Sequence, residues 1–77
     1  LGDPDAYFQL AIEAFNDIKA EGELARTVFA QGQSLLARGQ RMTASRKFHQ
    51  AMLMFTKLGM RDDANKAAQA QMMAIAR

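Results

Sequence analysis

Laid over itself with an offset of 40, this chain matches at positions that a helix would bury. Phe8-Gln9-Leu10-Ala11 falls on Phe48-His49-Gln50-Ala51, Phe15 on Phe55, and Ile18 on Leu58. Glu23 then meets Asp63, Arg26 meets Lys66, Ala30-Gln31 meets Ala70-Gln71, and Leu35 meets Ile75. An internal period of this size restricts the fold more than any local propensity. Each unit presents an apolar face that it cannot bury alone, so neighbouring units must stack.

The residues between the matches punctuate helices. Asp3 accepts first-turn amides and Pro4 suits the first helical position, which predicts a helix over 4–21. Phe8, Ala11, Ile12, Phe15 and Ile18 form its apolar stripe, and Gly22 is the expected stop. A second helix is expected over 23–38, with Leu24, Val28, Leu35 and Leu36 on its apolar side, Arg38 at its negative end and Gly39 as terminator. A third, over 41–58, buries Ala44, Phe48, Ala51, Met52 and Phe55 and stops at Gly59. Asp62 or Asp63 is expected to cap a fourth, over 62–76, carrying Ala64, Ala67, Ala68, Met72 and Ile75. No stretch alternates with period two, so strands are not expected. Short connections make successive helices antiparallel neighbours. The expected fold is therefore all-α, one domain over 1–77 built as an antiparallel array of four helices. The alternative is a compact four-helix bundle, in which Phe29 would be buried and no groove would exist.

Within this pattern, residues 25–56 resemble a tetratricopeptide repeat. Gly32 and Leu35 stand in its first helix, Ala44, Phe48 and Ala51 in its second, and Gly39 at the turn. Gly32, Ala44 and Ala51 would let the backbones approach where Phe48 needs room. Val28 stands where the family has an aromatic, Leu35 where it has tyrosine, Thr56 near its closing proline, and the period is 40 rather than 34. Longer variants of this kind are familiar in bacterial regulators and signalling proteins. The resemblance implies one full repeat between the second helix of a preceding repeat and the first helix of a following one, within a right-handed superhelix. It also implies a protein–protein interaction module, an adaptor, scaffold or regulatory segment, whose first helices line a concave groove. The groove residues would be Arg26, Phe29, Gln33 and Leu36, with Lys66, Gln69 and Met73 from the following repeat. Phe29 and Gln33 occupy positions where the carboxylate-clamp subtype has lysines and asparagines, which disfavours recognition of a free peptide C-terminus. An amphipathic partner with acidic and apolar residues suits Arg26, Lys66, Phe29 and Met73 better.

Composition narrows the remaining classes. Seventy-seven residues, 49% apolar, allow one small core. There is no cysteine for disulfides or thiolate metal sites, and no apolar run approaches the roughly 20 residues of a membrane helix. The chain does not begin with methionine and shows no signal pattern, so a segment of a longer, cytoplasmic protein is expected. Asp3, Asp5, Glu13, Asp17, Glu21 and Glu23 crowd the first third. No acidic residue occurs from Leu24 to Arg61, a stretch with Arg26, Arg38, Arg41, Arg46, Lys47, Lys57 and Arg61. The acidic first helix is expected to neutralise its basic neighbours on folding. Arg38, Arg41, Arg46 and Lys47 could face nucleic acid, but only Phe48 stands near them for stacking, and nucleic acid is not the expected partner. With fewer than two repeats, the terminal helices should expose apolar surface that flanking repeats or copies of the chain would cover.

No enzyme, cofactor or metal is expected. His49 is the only histidine and should face solvent or a helix edge, Ser34 and Ser45 lack a histidine–carboxylate pattern, and Asp62-Asp63 reads as a helix start. Gln31-Gly32-Gln33 lies inside a helix and carries no phosphate-binding lysine. Met52 and Met72 read as core filler, whereas Met54 and Met73 fall off the buried stripe.

Overall fold

Glycine and the backbone decide where the helices stop. The computed structural model describes residues 4–14 and 20–76. It contains α1 (Pro4–Ala14), α2 (Glu21–Ala37), α3 (Arg41–Lys57) and α4 (Arg61–Ile75), with no strand among the described residues. At the end of α2 the Gly39 amide donates to the Leu36 carbonyl (3.0 Å) and the Gln40 amide to the Leu35 carbonyl (2.9 Å). At the end of α3, Gly59 donates to Thr56 (3.1 Å) and Met60 to Phe55 (2.9 Å). Both are Schellman closures, which need a left-handed residue after the cap. Gly39 has φ +80° and Gly59 φ +76°. Gly39→Ala should therefore cost about 1–2 kcal/mol, the penalty of a Cβ in that region. In thermal unfolding this appears as a midpoint roughly 4–16 °C lower. An unchanged midpoint would show that the turn tolerates a side chain.

Three expectations about the helix ends need correction. Gly22 is not a stop, because it is the second residue of α2, and only Gly39 and Gly59 have positive φ among the described residues. Helix α2 accordingly begins at Glu21 rather than Glu23, with both glutamates in its positive first turn. Asp62 and Asp63 do not cap α4. Its N-cap is Met60, without a side-chain cap bond, and the two carboxylates sit in the first turn, where they face the positive end of the helix. The Asp3 cap and the packing expected of Ala11, Ile12, Phe15 and Ile18 fall outside what is described.

Each helix packs chiefly on its neighbours in sequence, and α3 lies between α2 and α4. The molecule measures 37 × 34 × 13 Å. A two-by-two bundle would have two short dimensions, and this molecule has one. Four axes side by side, at spacings of about 8–10 Å, account for most of the long second dimension. The architecture is an all-α array of four helices that pack chiefly on their sequence neighbours, without the two short dimensions of a compact bundle.

Two core clusters hold α3 in place. Ala25 and Val28 of α2, Ala51 and Phe55 of α3, and Ala64 and Ala67 of α4 form the first. Leu35, Ala44, Phe48 and Ala74 form the second. Phe29 packs against both, its ring centroid 5.3 Å from that of Phe48. A Cβ on Gly32 would lie 2.8 Å from the Phe48 ring and 3.3 Å from the Lys47 Cβ, so glycine permits the α2–α3 approach. Met52, expected in the buried stripe, is half-buried and packs against the first cluster. Met72 and Ile75, expected in the core, are instead 67% and 51% exposed. The inward side of α4 is Ala64, Ala67 and Ala74, and the side carrying Met72 and Ile75 has no helix against it among the described residues.

Charges also join the helices. Arg38 donates to Asp5 Oδ2 at 2.8 Å, tying the end of α2 to the start of α1, while Asp3, Asp17 and the Glu13 side chain lie outside the described residues. Arg41 donates from Nε to the Ala74 carbonyl (2.9 Å) and from Nη2 to that of Ala76, satisfying acceptors at the α4 C-terminus.

Candidate partner-binding groove

The floor of the candidate site comes from α3 and its walls from α2 and α4. Arg26, Phe29, Ala30 and Gln33 line one wall, Asp63 and Lys66 the other, and Phe55 the base of an open cavity of about 240 Å³. Residues at i, i+3 and i+7 share one face of a helix, which is why Arg26, Phe29 and Gln33 converge. The far wall exists only because the Gly59 turn folds α4 back along α3.

Of the seven expected groove residues, Arg26, Phe29, Gln33 and Lys66 meet in this cavity. The other three do not line it. Leu36 is half-buried against the second core cluster. Gln69 and Met73 are exposed on α4, at helical spacing from Lys66 but beyond the cavity, Met73 being 74% exposed. Ala30, Phe55 and Asp63 line the cavity although the sequence does not point to them as groove residues. By spacing alone Phe55 belongs to the buried stripe and Asp63 to a helix cap. Only the relative placement of three helices turns them towards the same space.

Phe29 serves two purposes, since its half-buried ring rests on both clusters and still borders the cavity. At the rim, Arg26 Nη1 lies 2.6 Å from Glu23 Oε1 one turn earlier, with both side chains more than half exposed. Lys66 is exposed and forms no ion pair among the described residues. The rim thus presents two cations and the Asp63 carboxylate around an apolar interior.

Met54 is half-buried rather than free. It packs on the first cluster and borders a second opening with Glu21, Leu24, Lys57 and Leu58. His49 is exposed. Two members of the basic group at 38–47 engage their own chain, Arg38 with Asp5 and Arg41 with the end of α4, while Arg46 is exposed. Among the described residues, no group of three or more His, Asp or Glu side chains is placed to hold a metal, and no helix is long and apolar enough to cross a membrane. No protein family model, curated protein or solved structure matches the chain.

Proposed function

We propose that this chain is a non-enzymatic protein-binding module, and that an amphipathic helix or extended segment of a partner places an apolar side chain in the cavity between α2 and α4. The observation that carries this reading is the convergence of Arg26, Phe29 and Gln33 with Lys66, the repeat equivalent of Arg26, around an open space floored by Phe55. An apolar interior with a few polar groups at its edge is the usual make-up of a peptide-binding groove. An acidic residue of the partner, next to its apolar anchor, would meet Lys66, and Gln33 offers a neutral donor and acceptor on the opposite wall. The resemblance to tetratricopeptide repeats, whose first helices line a groove, supports the same assignment.

The test starts from peptides selected from a random display library against the chain. Lys66→Glu reverses the one rim cation without an ion pair among the described residues, on an exposed site where folding should be unaffected. Binding of the selected peptides should weaken by roughly tenfold, about 1.4 kcal/mol, while thermal stability stays unchanged. Peptides that bind Lys66→Glu and Gln33→Ala as tightly as the parent chain would place recognition elsewhere. Phe29→Ala alone is a poor test, because it also removes packing from both clusters.

A further inference from the structure

The internal repeat relates helices as well as residues. Helix α2 starts at Glu21 and α4 at Arg61, the same offset that relates the matching residues. That offset also lays α1 over α3, with Phe8 on Phe48. The chain therefore alternates two helix types, and the packing of α3 on α2 shows how an α1-type helix seats on an α4-type face. On α2 that face is Val28, Gly32 and Leu35. Val28 packs with Ala51 and Phe55, Leu35 with Ala44 and Phe48, and Gly32 lies directly against Phe48 and Lys47. The equivalent residues of α4 are Ala68, Met72 and Ile75. Ala68 is half-buried, Met72 is 67% exposed and Ile75 51% exposed.

The complementary surface lies at the other end of the molecule. Lys47 and Phe48 of α3, which face α2, correspond to Tyr7 and Phe8 of α1. Tyr7 is 69% exposed, its ring edge-on to Phe8 at 5.8 Å, and Leu10 nearby is 66% exposed. The two ends thus correspond, by the repeat, to the two sides of the junction between α2 and α3, with Met72 in the place of Gly32. We propose that a second copy of this chain seats its α1, through Tyr7 and Phe8, on the Ala68–Met72–Ile75 face of α4, continuing the array head to tail. Helix α1 of one copy then lies between α4 of its neighbour and its own α2, as α3 lies between α2 and α4. Met72 stands where α2 has Gly32, so the junction cannot close as tightly as α2 on α3, and the flexible thioether fills the wider gap beside the aromatic pair. Such an interface is heterologous and leaves a free end on each copy. It is independent of the cavity between α2 and α4, since neither Tyr7 nor Met72 lines that space.

Two variants test it, Met72→Glu to block one end and Tyr7→Glu to block the other. Both positions are about two-thirds exposed, so helicity measured by circular dichroism should match the parent. In sedimentation equilibrium, the average mass of the parent chain should rise above that of one chain between micromolar and millimolar concentration, and each variant alone should stay at one chain. An equimolar mixture of the two variants should reach the mass of two chains and stop, because one intact tail then meets one intact head. A parent chain of single-chain mass throughout overturns the proposal, whether or not the variants fold. A Tyr7→Glu variant that associates as the parent does also overturns it, in favour of a two-fold contact of α4 with α4.

Discussion

Replacing Phe48 by alanine should remove a large part of the molecule's stability. The ring is 1% exposed and belongs to the cluster formed with Leu35, Ala44 and Ala74, which draws on α2, α3 and α4. Removing such a ring costs about 3–5 kcal/mol, through lost transfer energy and the cavity left behind. A domain of this size has roughly 4–12 kcal/mol in total, at about 0.05–0.15 kcal/mol per residue. The site cannot easily collapse, because Gly32 on the facing helix has no side chain to move into the space and Phe29 already rests on both clusters. Urea unfolding measures this directly, and the expected result is a large fall in midpoint at a similar slope. A loss below about 1 kcal/mol would mean that the ring does not hold the α2–α3 junction.

Gly32→Val should be the second most damaging change, for the opposite reason. Glycine inside a helix ordinarily costs about 0.5–1 kcal/mol relative to alanine, so filling it should help. Here a Cβ would stand 2.8 Å from Phe48 Cδ1 and Cε1, and the fully buried ring has nowhere to yield. Overpacking of this kind costs about 1–3 kcal/mol, and the second branch of valine places the change near the upper end. Gly22 supplies the comparison within the same helix. A Cβ there meets only Arg26 Nη1 at 3.8 Å and Met60 Sδ at 3.9 Å, so Gly22→Ala should gain about 0.5–1 kcal/mol. If both substitutions stabilise, the close approach of α2 to α3 is wrong.

Much of this arrangement is legible in the residues themselves. Gly39 and Gly59 fall where the helices end, and α3 runs over Arg41–Lys57 against an expected 41–58. Val28, Leu35, Ala44, Phe48, Ala51 and Phe55 are buried as their spacing requires. The failures share a cause. Gly22 reads as a stop by composition, yet a glycine ends a helix only where the chain adopts positive φ, and that depends on the residues after it. Ala25, fully buried, does not stand out in the sequence because a hydrophobic stripe is weighted by large side chains, whereas the closest helix contacts use small ones. Met72 and Ile75 match the periodicity of a buried face, and periodicity cannot say whether a neighbour is present to cover it. At the groove, the α2 wall is readable from helical spacing. The participation of Phe55, and the stopping of the cavity at Lys66 short of Gln69 and Met73, depend on how three helices lie together.

The two Schellman turns carry a last consequence. They recur at Gly39 and Gly59, half the repeat offset apart, and each reverses the chain through the same hydrogen bonds. One helix with its turn is thus a half-step that flips direction, and two restore it. Insertion or loss of a single helix with its turn would interchange the two helix types along the rest of the chain and put groove-lining side chains on the opposite side of the sheet of helices. Insertion or loss of a whole repeat would leave every later helix in its original sense. Length variation in such a chain is therefore constrained by parity, with even numbers of helices preserving the side on which the cavity opens and odd numbers reversing it.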